Sequence, residues 1–288
     1  MNSDRGTEGE RTESERRTID DGAEARSERP TGPSGESPTS DHDHANEDEA
    51  IQMTTRTTTD ARIDRPTDDL VLFDMDGVVL EGRGTDSVVH SRALDDVLHE
   101  RGIEVEDDLR PPLETYEYTD AFVTACGTLG VDPAEFYTAR ERRSVKRSVK
   151  RLAAGTRGLC PDAEALDRLS DHVTIGLVSN NYDPTVEFVV DYFRLDAFGF
   201  VRGRDLGPDG FCRRKPDPHY LNEALEALDA TGGYYVGDRE TDVIAAENAG
   251  LDSVFIRRDH NADVTLDVEP TVEINSLEEL IPLVADVA

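Results

Sequence analysis

Tryptophan is absent from the 288 residues, and tyrosine and phenylalanine number only eight and nine. Apolar residues make up 36% of the chain, enough for a packed core provided part of the sequence stays outside it. No run approaches the ~20 consecutive apolar residues that cross a bilayer. The opening Met1-Asn2-Ser3-Asp4-Arg5-Gly6 lacks the apolar stretch of a secretory leader. The chain therefore reads as soluble and cytoplasmic. Cysteine is scarce: Cys126, Cys160 and Cys212 are odd in number, far apart and without a Cys-x-x-Cys pair. That spacing builds neither a zinc site nor a disulfide framework, and buried or inert thiols are expected. Lysine is scarcer than its chemistry would suggest. Only Lys146, Lys150 and Lys215 occur, against 28 arginines.

Acid, by contrast, is abundant. The formal charge is -32; residues 1–66 hold 17 acids and 9 bases, and the remaining 222 residues hold 46 and 22. Most of the excess falls on the part expected to fold, where it coats the surface and repels itself in dilute salt. Few lysines and many acids suggest adaptation to a salty cytoplasm, since screening acts over ~3 Å at 1 M salt. The sign of the charge argues against nucleic acid and against anionic membrane as partners.

Residues 1–66 are nearly devoid of apolar side chains and are expected to form a disordered acidic tail. Met53, just ahead of the first apolar run, is an alternative start of translation. Asp41-His42-Asp43-His44 resembles a metal-binding string, but with nothing to order it a solvated tract is expected. From Leu70 the texture changes. Leu70-Val71-Leu72-Phe73, Val173–Val178, Tyr234–Val236 and Ser253–Ile256 are short apolar runs of the kind that form buried parallel strands. Helical patterns such as Pro218–Leu228 and Asp242–Ala249 separate them. This alternation predicts an α/β domain with a parallel sheet, in which ligands sit beyond the carboxyl ends of the strands. Residues 82–159 carry helical patterns and no strand. They are expected to form a helical insertion over those ends, with residues 67–81 and 160–288 as the core.

Four motifs carry candidate chemistry, three of them at predicted strand ends. Asp74-Met75-Asp76-Gly77 places two carboxylates on the same side of extended backbone, one able to act as nucleophile while the other handles a proton. Ser179-Asn180 offers a hydroxyl and an amide to a phosphate oxygen. Lys215-Pro216 offers a compact ammonium to neutralise charge. Gly237-Asp238-Arg239-Glu240-Thr241-Asp242 supplies Asp238 as an oxygen ligand for Mg²⁺. Asp242 is read either as a partner of metal-bound water or as a helix cap. Asp205 and Asp209 repeat that spacing without a preceding strand or following helix, and are set aside.

In this order and context the four motifs resemble the haloacid dehalogenase superfamily, in its subgroup with a helical cap inserted after the first strand. The resemblance covers about Leu70 to the C-terminus. It implies a Rossmann-like core, Mg²⁺ dependence and a phosphoaspartate intermediate. Residue by residue, it makes Asp74 the nucleophile, Asp76 the general acid/base, Ser179 and Asn180 substrate-binding groups, and Lys215 a stabiliser of phosphoryl charge. Mg²⁺ would be held by Asp74, the Asp76 carbonyl and Asp238, with Asp242 behind them. Retention of Asp76 points to phosphatase chemistry on a small phosphorylated metabolite, phosphoglycolate-like by analogy. The alternatives are a phosphomutase, with Asp86 and His90 at the start of the insertion, and a non-catalytic binding protein on the same core. His90 is expected on a helix surface. Arg140, Arg143, Arg147 and Lys150 share one face of a basic helix in the insertion. That face either meets a second anionic group of the substrate or is a solvated face paired with acidic neighbours.

Overall fold

The structure, a computed structural model, describes residues 70–285. The tail, the Asp41–His44 string and Met53 lie outside the described residues. Six strands form one all-parallel sheet: β1 (Leu70–Phe73), β2 (Thr174–Tyr182), β3 (Phe200–Arg204), β4 (Tyr234–Gly237), β5 (Asp252–Ile256) and β6 (Val272–Ile274). Their spatial order is β3-β2-β1-β4-β5-β6. Parallel pairing is in register from Leu70 opposite Thr174 and from Val71 opposite Tyr234. β1 is therefore central, and its four residues are all buried.

Between β1 and β2 run α1 (Ser87–Arg101), α2 (Arg110–Glu114), α3 (Asp120–Leu129), α4 (Pro133–Ala153) and α5 (Ala165–Ser170). The later connections carry α6 (Asp183–Phe193), α7 (Pro208–Cys212), α8 (His219–Ala227) and α9 (Glu240–Ala249), and α10 (Leu280–Ala285) closes the described chain. The helix ends follow local chemistry. Asp86, Thr119 and Asp132 accept backbone hydrogen bonds at the starts of α1, α3 and α4, and left-handed Gly102 and Gly130 terminate α1 and α3.

Alternation along the strands divides the core into layers. Val71 and Phe73 face one apolar cluster with Leu166, Val186 and Leu280, while Leu70 and Leu72 face another with Tyr220, Leu221 and Ala246. The helices after β1 have an apolar centre of their own, built on Leu94, Leu113, Phe122, Phe136 and Tyr137. Among the described residues no helix is long and apolar enough to cross a membrane.

Three local expectations are corrected. The sheet has two strands that the apolar pattern missed, β3 and β6; both are edge strands, covered on one flank only and correspondingly less apolar. Because β3 ends at Arg204 and α7 begins at Pro208, Asp205 and Asp209 do have a strand before them and a helix about them. Even so, Asp205 bonds Arg202 rather than joining the other acids. Cys126 and Cys160 are buried, and burial lifts each thiol to about 11, but Cys212 is exposed.

Candidate active site

Asp74 leaves the end of β1 with its backbone N–H bonded to the Val236 carbonyl of β4 at 2.8 Å, fixing the first carboxylate against the neighbouring strand. Lys215 Nζ lies 2.9 Å from Asp74 Oδ1 and 2.7 Å from Asp242 Oδ1, and it donates to the Tyr235 hydroxyl, which itself donates to the Val178 carbonyl. Burial by itself lowers a lysine pKa, but the Asp242 and Asp74 charges outweigh it. The ammonium is held well above its usual value.

Asp238, at the end of β4, completes the cluster. One oxygen each of Asp74, Asp238 and Asp242 can be chosen so that all three lie within 4.8 Å of one another. Such closeness needs Gly77. Its φ is +83°, and a Cβ there would come 2.2 Å from Asp238 Oδ2. Burial, then the Asp74 and Asp242 charges, raises the Asp238 carboxyl to about 8. Both oxygens of Asp242 are engaged: Oδ1 with Lys215, Oδ2 with the backbone N–H groups of Asp238 and Arg239. It thus serves as a helix cap and as a partner of the lysine at once. Asp238 Oδ1, by contrast, is buried without a hydrogen-bond donor. Three buried acids facing one ammonium, with an oxygen left over, suit a hard divalent cation such as Mg²⁺.

Asp76 sits across the same cavity. Its Oδ2 accepts from Asn181 Nδ2 at 3.0 Å, and Arg157 Nη2 lies 2.7 Å from its Oδ1. Ser179 is buried, and its Oγ accepts the Asn181 N–H at 3.2 Å. Asn180 departs from expectation. Its Oδ1 accepts the Lys215 N–H at 2.8 Å and its Nδ2 donates to the Lys215 carbonyl at 3.2 Å, so the amide is taken up in holding the lysine's main chain.

The cavity, about 510 Å³, is bounded on the core side by Asp74, Asp76, Ser179, Lys215 and Asp242. On the insertion side it is bounded by Ser87, His90, Tyr116 and Glu117. The expected surface position of His90 is corrected: it is buried, 3.3 Å from the Ser144 hydroxyl and packed against the Tyr116 ring. Burial, then Arg140 and Arg204, lowers its pKa to about 4.

The basic face of α4 divides. Arg140 is not on a solvated face; it is buried over the Phe122 and Tyr137 rings and donates to the Leu113 carbonyl. Arg147 forms two 2.6 Å bonds with Asp96 of α1, and Arg143 pairs with Glu100. Lys150 is exposed. Arg143 and Arg147 are thus paired with acidic neighbours.

Sequence reasoning missed Asn181, Arg157, Tyr235 and His260. Asn181 directly follows Ser179-Asn180 in the same strand. His260, whose Nε2 lies 2.5 Å from Asp238 Oδ2, follows the end of β5, so the strand-end rule applied to every strand would have found it. Nothing in the pattern marks Arg157.

This order of strands, with acids at the tips of β1 and β4 and a lysine between them, is accompanied by a family-level match. The model of the haloacid dehalogenase-like hydrolases matches residues 69–250, and the chain belongs to that family. Relatives that bear the name phosphoglycolate phosphatase include one from Rhodobacter capsulatus, 34% identical over 93 residues, which is 32% of this chain and 41% of that protein. Another, from Pseudomonas putida, is 27% identical over 235 residues, 76% of this chain and 80% of its own length. A third, from Pseudomonas fluorescens, is 30% identical over 120 residues, 40% of this chain and 43% of that protein. The first and third of these alignments span less than half of the relatives' length. Among solved structures, CbbY from Rhodobacter sphaeroides in complex with phosphate shares the fold. Its TM-score is 0.50 at 19% identity, covering 74% of this chain and 96% of that one.

Proposed function

We propose that the chain is a Mg²⁺-dependent phosphatase that hydrolyses a small phosphorylated metabolite through an aspartyl phosphate on Asp74. The observation that carries this reading is the contact of Lys215 with Asp74 and Asp242, all three lining one cavity, beside the buried Asp238. Asp74 forms the new bond to phosphorus while the bond to the ester oxygen breaks. Asp76 supplies the proton that the departing oxygen takes. Asp76 then removes a proton from the water that attacks the phosphoaspartate, which releases inorganic phosphate and restores Asp74. Ser179 and Lys215 hold the phosphoryl oxygens throughout, and Asn180 serves them by fixing Lys215. Asp74, Asp238 and the Asp76 carbonyl would hold Mg²⁺, which when bound supplies positive charge to the phosphoryl oxygens.

In this reading the insertion, residues 82–159, is a cap over the core of residues 67–81 and 160–288. The protein works as a soluble enzyme in a salty cytoplasm, and the names of its relatives favour a phosphoglycolate-type substrate. The test is release of phosphate from a panel of metabolites, phosphoglycolate included, by the full chain at high salt with and without Mg²⁺. Turnover that requires Mg²⁺ and vanishes in Asp74→Asn is expected; turnover by Asp74→Asn at the original rate sinks the proposal. Single-turnover release to water, rather than transfer to a second metabolite, separates phosphatase from mutase. Mg²⁺ should also raise the melting temperature of the original chain and leave that of Asp238→Asn unmoved.

A further inference from the structure

The first carboxylate of the site is held by the core alone, but the second is held from two directions. Asp76 Oδ2 accepts from Asn181 at the end of β2, and Asp76 Oδ1 faces the Arg157 guanidinium at 2.7 Å. Arg157 lies outside both strands, in the segment that returns the chain from the insertion to the core. From there its Nε donates to the Glu81 carbonyl at 2.5 Å and its Nη2 to the Gly82 carbonyl at 3.4 Å, on the segment that leaves the core. The two segments also pair with each other: Glu81 N–H donates to the Gly158 carbonyl at 2.9 Å, and Leu80 bridges Leu159 in antiparallel fashion. Gly82, with φ +89°, supplies the left-handed turn that presents its carbonyl to the guanidinium.

We infer that Arg157 is a positioning residue that ties the proton-carrying Asp76 to the paired segments from which the helical insertion hangs. A planar guanidinium can grip two backbone carbonyls and one carboxylate at once, because its donors radiate in a fixed plane. An ammonium reaches one such partner well and the others poorly. The main-chain bonds fix the guanidinium relative to residues 81 and 82, and the guanidinium fixes the carboxylate. A shift of the insertion therefore moves Asp76, whereas Asp74, bound to β4 and Lys215, stays where it is.

This inference rests on the proposed role of Asp76 in proton transfer, and the leaving group provides a test that separates the two. The leaving group of ethyl phosphate is a strongly basic alkoxide unless it is given a proton; that of p-nitrophenyl phosphate is a stable phenolate and needs none. For Arg157→Gln, kcat/KM on ethyl phosphate should fall by about 10- to 100-fold, the scale of a misplaced reacting group. On p-nitrophenyl phosphate it should fall by less than about threefold if only the proton transfer suffers. Arg157→Lys should recover part of the loss, and it carries the same comparison if the glutamine variant does not fold. Asp76→Asn is the reference and must show the same selectivity more strongly. If Asp76→Asn harms both esters equally, the role of Asp76 falls and the inference with it. If Asp76→Asn is selective while the Arg157 variants harm both esters alike, or neither, the inference alone is overturned.

Discussion

Charge is dense in two regions, and the chain treats them in opposite ways. At the tips of β1 and β4, Asp74, Asp238, Asp242 and Lys215 are each no more than 5% exposed, and the acids outnumber the base. Along the outer face of α4, Arg143 and Arg147 have side chains 29% and 33% exposed, and each meets an acid on α1. Coulomb's law is the same in both, but solvent screens the second region and is excluded from the first. Surface pairs of this kind contribute about 0–1 kcal/mol each and are free to be structural. An imbalance of buried charge is costly, and it persists only where something else supplies the missing charge. Excess rather than density is what sets the first region apart.

Substitutions can break or sharpen that contrast. The largest effect is expected at Asp74: Asp74→Asn should cost on the order of 10⁴-fold or more in kcat while the fold, read by circular dichroism, stays intact. Next comes Lys215→Met, which leaves Asp74 and Asp242 without their ammonium and should destabilise the metal-free protein by about 3–5 kcal/mol in denaturant unfolding. A loss below ~1 kcal/mol would mean that the cluster behaves like the surface pairs.

His90 tests the insertion side. Its pKa is about 4 in the folded chain against 6.5 as the ordinary value, so the unfolded chain takes up the proton first as pH falls. The contribution is fully present above pH 6.5 and lost on the way down to about 4, ~3 kcal/mol in all relative to His90→Gln. Parallel stability curves for the two proteins over that window would show that the imidazole does not stay neutral. The smallest effect is expected at Arg147→Ala, ~1 kcal/mol or less in stability, with KM unchanged for every substrate that turns over. A raised KM would return that face to the substrate.

The central strands and the residues at their ends were legible because burial on both faces leaves an apolar run, and an acid at the strand's end interrupts it. Asp74, Asp76 and Asp238 stand at such interruptions, while Lys215, in the loop between α7 and α8, reaches Asp74 and Asp242. β3 and β6 were not legible because an edge strand needs less apolar surface: Phe200–Arg204 carries two arginines and a glycine, and Val272–Ile274 only three residues. The position of His90 was hidden for another reason. Polarity predicts exposure on average, but a ring tilted against Tyr116 and bonded to Ser144 is satisfied indoors. Arg157 and Asn181 draw their meaning from contacts across 81 and 105 residues of chain, which no local spacing encodes.

The Asn180 amide clasps both main-chain polar groups of Lys215, as a neighbouring strand would. The loop that brings in the lysine is thereby registered to the end of β2, and the hydroxyl of Ser179 and the ammonium of Lys215 travel as one part. The phosphate grip proposed for these two groups is in effect a cassette, complete before the helices above it are specified. On the proposed function, a chimaera that keeps this chassis and exchanges the insertion for a relative's would retain the hold on the phosphoryl group and change only which molecule delivers it.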